Sequence, residues 1–295
     1  MDYTSVRETA EKWGITERVV RGYCADGRIE GAYLKGKTWN IPENAEKPAR
    51  KERQRLIPAD LLGRLRLEKE QGISGGIYHK IQIEMTYNSN HMEGSRLTHE
   101  QTRYIFETNT VGVTDGDVRV DDIIETVSHF RCIDAVIGWA ERPLSENMLK
   151  QLHRMLKTET ADSRKKWFAV GEYKRVVNEV GGLPTVSPRE VPARMKALMA
   201  DYRSLHKPEL DDLLEFHYRF ERIHPFQDGN GRIGRLILLK ECLKNGIVPF
   251  IIEDEMKWYY YRGLREWEKE RGFLREICLS AQDRFRAWMD YFELH

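Results

Sequence analysis

The stretch "DDLLEFHYRFERIHPFQDGNGRIGRLILLKECL", residues 211–243, limits the folds open to this chain more than any other. Its first part spaces apolar residues as one stripe of an amphipathic helix running up to His224. Pro225 ends that helix, because a residue followed by proline is pushed out of the helical region. The next helix, "GRLILLKECL", starts near Gly231 or Arg232, so "QDGNG" is the link between two helices and lies at the N-terminus of the second.

That position has chemical consequences. A helix N-terminus exposes unpaired N–H groups and a partial positive charge, and glycines let backbone approach a ligand closely. Arg232 and Arg235 are three residues apart in the first turn, which predicts that they project to one side. The expectation is an anion-binding nest with two guanidinium groups. Asp228 beside it is misplaced unless a metal ion bridges it to phosphate oxygens. His224 at the rim can take a proton near neutral pH. These parts suit nucleotide-dependent group transfer: His224 as base, and the Gly229–Arg232 backbone with Asn230 as donors to the phosphorus oxygens. Asp228 with magnesium and the arginines would clamp the polyphosphate. The plainer alternative is a polar connection in which His224 caps, Asp228 pairs with Arg232 and nothing reacts. A His217–His224 metal pair is a rival, but no HExxH spacing or third ligand supports it, and His217 is expected in the core.

Length and composition frame this site. The 295 residues are enough for one large domain and a small one. With 40% hydrophobic and 32% charged residues, a soluble globular protein is expected, and the net charge of +1 exerts no global pull toward nucleic acid. Residues 1–55 are mildly basic, twelve Lys and Arg against nine Asp and Glu, while the remainder is mildly acidic. Cys24, Cys132, Cys242 and Cys278 show no paired or metal-ligand spacing and read as reduced structural thiols. The start lacks the apolar core of a signal peptide, and no stretch approaches the roughly 20 apolar residues of a membrane span. A cytoplasmic location with no membrane partner is the expectation.

"TSVRETAEKWGITERVVRGYCADGRIEGAYLKGKTWNIP" reads as helix, turn, helix and hairpin. Thr4 or Ser5 caps a helix presenting Val6, Ala10 and Trp13; Gly14 stops it; Thr16 caps a second helix carrying Val19, Val20 and Tyr23. Two short strands follow around a Lys-Gly-Lys turn. This pattern resembles excisionase-like or MerR-like winged helix-turn-helix modules, which would contact DNA through Arg18, Arg21, Lys35 and Lys37. Residues 1–48 are assigned to that module, 49–75 to a linker and charged helix containing "ARKERQR", and 76–295 to the main domain. Beyond Leu61 the periodicity is helical, except for "YKRVVNEVGGLPTV", where β-branched residues around Gly181-Gly182 predict a hairpin.

"HPFQDGNGRIGR" is similar to the complete signature of the Fic family, HPFx(D/E)GNGRxxR, and the likeness extends over roughly residues 76–290, including "GEYKR" and "YYRGL". The expected fold class is mainly α: a helical Fic core with a small β-hairpin flap, plus the N-terminal winged helix-turn-helix. The resemblance implies a protein adenylyltransferase moving AMP from ATP to a side-chain hydroxyl of a target protein. It assigns His224 as base, Asp228 as magnesium ligand and Phe226 as anchor. Gly229, Asn230 and Gly231 would hold the α- and β-phosphates, and Arg232 and Arg235 the outer phosphates. The family's phosphotransferase branch carries lysine where Gly231 stands, which favours AMP transfer here.

"SNHMEG", Ser89–Gly94, fits the family's inhibitory pattern (S/T)xxxE(G/N), implying an inhibitory helix near residues 78–94 whose Glu93 pairs with Arg235 in place of the ATP γ-phosphate. The same glutamate orients water for AMP removal in some relatives. The hairpin Val176–Thr185 corresponds to the family flap, with Val180 and Gly181 pairing the target backbone as an added strand. Tyr260 and Tyr261 match a pair lining the adenine pocket, whereas Glu268 stands where several relatives have asparagine. Self-modification and a homodimer are compatible with this reading. A second reading is a DNA-binding regulator whose Fic part senses nucleotide with little turnover.

Overall fold

The computed structural model describes residues 2–36, 38–48, 58–112 and 116–294. The chain divides into two compact units, Met1–Leu56 and Ile57–His295.

In the first unit, β1 (Tyr3–Thr4) leads into α1 (Val6–Trp13), then α2 (Glu17–Ala25), β2 (Tyr33–Lys35) and β3 (Thr38–Pro42). Ser5 caps α1 in a reciprocal box with Glu8, and Gly14 closes it in the left-handed conformation. Thr16 occupies the N-cap of α2 without a side-chain bond. The hairpin pairs Leu34 with Trp39. The strand β1, which the sequence pattern does not announce, joins the other edge of β3 and makes a three-stranded antiparallel sheet. Val6, Ala10, Val20, Cys24, Ile29 and Ile41 form the core. Val19, expected inward, is exposed, and Cys24 takes its place. Arg18, Arg21 and Lys35 are exposed, and Arg21 pairs with Glu17 on its own helix. Lys37 and the linker segment 49–57 lie outside the described residues.

The second unit is helical: α3 (Leu61–Gln71), α4 (Ile77–Met92), α5 (His99–Thr108), α6 (Val120–Trp139), α7 (Glu146–Lys157), α8 (Val191–Arg203), α9 (Leu210–Ile223), α10 (Asn230–Asn245), α11 (Lys257–Glu266) and α12 (Gly272–Tyr291). Between α7 and α8 a two-stranded hairpin joins β4 (Glu179–Val180) to β5 (Leu183–Pro184). Gly181 and Gly182 both have positive φ, as a tight two-residue turn of this hand requires. The helix α10 is buried on nearly every side, from Asn230 to Leu243, and packs against α4, α6, α7 and α9. A helix buried on all sides belongs at the centre of a bundle; this one buries Arg232, Arg235, Lys240 and Glu241 as ion-paired groups and carries the glycine-rich loop at its N-terminus. Leu65 ties α3 into the same core. All four cysteines are free and buried. Among the described residues, no helix is long and apolar enough to cross a membrane.

Candidate active site

The predicted break between α9 and α10 forms as the sequence requires. His224 closes α9 with φ 50° and ψ 62°, a left-handed conformation that turns the chain before Pro225. Phe226 is fully buried and stacks on His153, ring centroids 4.3 Å apart and planes 6° apart. Asn230 braces the loop: its Oδ1 accepts from the Phe226 N–H and its Nδ2 donates to the Phe226 carbonyl, both at 2.9 Å. Gly229 begins α10 with φ 80°. The first N–H groups of α10 therefore face the loop with no partner inside the helix.

This geometry revises three expectations. The Asn230 side chain is spent on Phe226 and is 1% exposed, so only its backbone N–H remains for an anion. Arg232 and Arg235 turn apart. Arg232 bonds Glu125 of α6 and Asp228, whereas Arg235 reaches α4, where Ser89 and Glu93 accept from it. Of the tyrosine pair, Tyr260 is 1% exposed and bonded to His217 Nε2, leaving Tyr261 alone with exposed ring surface. His217 is thus a core residue, and Glu268 accepts from the Tyr218 hydroxyl.

Glu93 terminates α4. Its Oε1 lies 2.8 Å from Arg235 Nη2, while Ser89 receives the other two Arg235 bonds through Oγ at 2.9 Å and its carbonyl at 3.0 Å. The helix end is held in place by Arg119, which donates to the Gly94 carbonyl at 2.6 Å. Burial by itself would lower the Arg235 pKa, but the Glu93 carboxylate more than offsets it and keeps the guanidinium charged. A Cβ on residue 231 would collide with Glu93 Oε1, so glycine is the residue that lets this carboxylate rest on the first turn of α10.

His224 is neutral at ordinary pH. Burial, then the Lys174 charge, pushes its pKa down to about 4. Its Nδ1 is buried without a hydrogen-bond partner, 3.9 Å from the Glu221 carboxyl. Burial also pushes Glu221 up to about 8, against the pull of Arg235, so this second carboxyl near Glu93 is mostly protonated at neutral pH.

Several contributors are invisible in the motif. Lys157 of α7 donates to Asp228 Oδ2 at 2.6 Å and pairs with Glu125. Burial alone would raise the Asp228 pKa, but Arg232 and Lys157 hold this carboxylate well below its usual range. Lys157 was detectable as a lysine on the buried stripe Leu149, Leu152, His153 and Leu156. Lys174 of "GEYKR" fastens the flap: its Nζ donates to Asn178 Oδ1 at 2.7 Å and to the Thr185 hydroxyl, and its N–H donates to the Pro225 carbonyl at 2.8 Å. Asn178 Nδ2 donates to the Phe226 carbonyl at 3.1 Å, so flap and loop share one hydrogen-bonded seam. Val180 and Gly181, at the hairpin tip, are exposed.

Among the described residues, no group of three or more His, Cys, Asp or Glu could hold a metal ion by itself. Asp228, 42% exposed at its side chain, fits as one oxygen ligand of a magnesium ion whose other ligands are phosphate oxygens and water.

A helical bundle with a histidine-rimmed, glycine-rich loop at the N-terminus of its central helix is the class that these features define. Residues 143–242, which include this loop, match the model of the Fic/DOC family. The chain is similar to the protein adenylyltransferase Fic of Nematostella vectensis, 23% identical over 209 residues, covering 69% of this chain and 48% of that protein. The protein of the same name from Drosophila melanogaster is 27% identical over 227 residues, covering 73% of this chain and 42% of the relative. The chain thus spans about half the length of the curated relatives it matches or less. A Fic domain containing signaling protein from Bacteroides thetaiotaomicron superposes with a TM-score of 0.57 at 28% identity, covering 79% of this chain and 91% of that one. A Fic family protein from Desulfovibrio desulfuricans has the same fold, with a TM-score of 0.59 at 23% identity over 78% of this chain and 71% of that one.

Proposed function

We propose that this protein is an adenylyltransferase that moves AMP from ATP to a hydroxyl side chain of a target protein, and that Glu93 restrains it. One observation carries the reading: a neutral, partly accessible His224 imidazole borders the unpaired N–H groups at the start of α10. The target hydroxyl attacks the α-phosphorus; its proton passes to His224, and the bond to pyrophosphate breaks. The N–H groups of residues 229–232 stabilise charge on the phosphate oxygens, and Arg235 receives the γ-phosphate once Glu93 leaves. Magnesium, held by Asp228, would neutralise phosphate charge during the transfer. Exposed Val180 and Gly181 suit pairing with an extended target segment, and Tyr261 offers a face to adenine. Self-modification, removal of AMP with Glu93 orienting water, and a homodimer belong to the same proposal. Incubation with ATP labelled at the α-phosphate tests it: the Glu93→Gly variant should label protein, and the same variant with His224→Ala should not. Equal label in both would overturn it.

A second reading rests on the N-terminal unit, proposed as a winged helix-turn-helix over residues 1–48, with 49–75 as linker and charged helix and the Fic domain from 76 to 295. The exposed Arg18, Arg21 and Lys35 would face DNA phosphates in a regulator whose Fic domain senses nucleotide. Loss of duplex DNA binding in an Arg18→Ala, Arg21→Ala variant would support this reading, and salt-independent or absent binding in the unaltered protein would dismiss it.

A further inference from the structure

The acid in the anion loop already has a cation. Asp228 Oδ2 accepts from Lys157 Nζ at 2.6 Å and from Arg232 Nη2 at 3.2 Å. Lys157 is 3% exposed at its side chain, a rare setting for a lysine unless its charge is matched. Glu125 matches it and also pairs with Arg232, and Asp162 Oδ2 lies 3.7 Å away. The lysine stem runs beneath the loop itself: a Cβ on Gly229 would meet Leu156 Cδ2 at 3.2 Å and Lys157 Cδ at 3.8 Å. An ammonium is therefore built into the floor of the nest, on the carboxylate that would otherwise repel an incoming phosphate.

We propose that Lys157 is a resident counter-cation of the anion loop, which lets the nucleotide's phosphates settle beside Asp228 with less dependence on a divalent ion. The proposal rests on the nucleotide reading of the loop. Its physical basis is charge order. A lone Asp228 beside a polyphosphate brings like charges together, and a divalent ion must then enter with the ligand. With Lys157 and Arg232 already on the carboxylate, much of that repulsion is cancelled before any ligand arrives. The same pairing makes a divalent ion share Asp228 with an ammonium, which weakens its hold there. Lys157 is in this sense a positioning residue, acting on the ligand through Asp228.

The test is calorimetric titration of the full chain with ATP, in EDTA and in excess magnesium, reading the ratio of the two dissociation constants. Lys157→Met keeps the stem and removes the charge; the ratio should rise about tenfold, mainly through weaker binding in EDTA, a change within the reach of one buried charge. Lys157→Arg should return the ratio toward that of the unaltered protein, which a packing role alone would not predict. Should Lys157→Met prove unfolded by circular dichroism, the charge-balanced Lys157→Met with Glu125→Gln is read instead, with the same rise expected. An unchanged ratio while ATP still binds overturns the proposal and leaves the nucleotide reading standing. Absence of ATP binding to the unaltered protein in both buffers overturns both.

Discussion

The Glu93 carboxylate and the Arg235 guanidinium are joined at 2.8 Å, across the first turn of the helix that carries the glycine-rich loop. Arg235 is 6% exposed, so this is a nearly desolvated cation whose Coulomb demand is met from within the chain. Under the proposed function, a γ-phosphate would bring charge of the same sign to the same donors and would have to compete for them. Replacing Glu93 with glycine should raise AMP transfer by about tenfold or more, which corresponds to only about 1.4 kcal/mol. The variant should also melt earlier than the unaltered protein without ATP and gain more from added ATP, because its arginine keeps its bonds to Ser89 but loses its counter-charge. Thermal melts with and without ATP check this independently of transfer.

His224 should be required for transfer but not for holding nucleotide. Substitution by alanine should lower the rate by roughly 100-fold or more while leaving ATP affinity within about threefold, since general base catalysis commonly supplies factors of that size. The acid limb of the rate profile follows from the pKa near 4: the neutral imidazole predominates above it, and activity falls as pH drops through it. Lys174 contributes to that depression. Lys174→Met should therefore shift the acid limb to higher pH as well as loosen the flap, and rate profiles of both proteins from pH 4 to 8 would show it.

The motif and the periodicity made this site readable because its local rules are short in range. His224 before Pro225, Gly229 at positive φ and an apolar helix after Arg232 are consequences of neighbours in sequence. What escaped was set by packing across helices. The divergence of Arg232 and Arg235 depends on Glu125 lying on one side of α10 and on Ser89 with Glu93 on the other, 107 and 142–146 residues away in the chain. The burial of Tyr260 was not legible because its partner His217 sits 43 residues upstream on another helix, and no local pattern couples them. The strand β1 escaped because two residues carry no period, and only β3 gives them a partner.

Asn230 should matter more for the loop than for the ligand. It satisfies both the N–H and the carbonyl of Phe226, and all four residues from Phe226 to Gly229 are enclosed by this pair of bonds. Asn230→Ala would leave the buried Phe226 N–H unpaired, at about 1–3 kcal/mol where water cannot reach it, while the Phe226 carbonyl keeps the bond from Asn178. Asn230→Asp keeps the acceptor for that N–H but sets a buried carboxylate oxygen against the Phe226 carbonyl, so it should destabilise as well in denaturant titrations. If both variants were as stable as the unaltered protein, the brace would be dispensable.

Stability should fall on the acid side of neutrality. His224 is held down to about 4 and His153 and His217 to about 3, in each case chiefly by burial, and His129 lies well below its ordinary value for the same reason. Unfolded, these imidazoles titrate near 6.5. Between that value and their folded values the unfolded chain binds more protons, so their contribution is full above about 6.5 and drains away as pH falls toward 3. Glu221 works in the opposite sense. Its folded value of about 8 lies above the ordinary carboxyl value, so the folded chain holds the extra proton, and that contribution is complete at low pH and lost as pH rises through 8. Four histidines against one glutamate put the net slope toward greater stability at neutral pH than at 4.5, and Glu221→Gln, by removing the one opposing contribution, should steepen the rise up to about pH 6.5 and abolish the loss that continues to about 8. Melting temperatures of the two proteins across pH 4 to 9 separate the two contributions, and a flat profile below pH 6.5 would contradict the burial of neutral imidazoles.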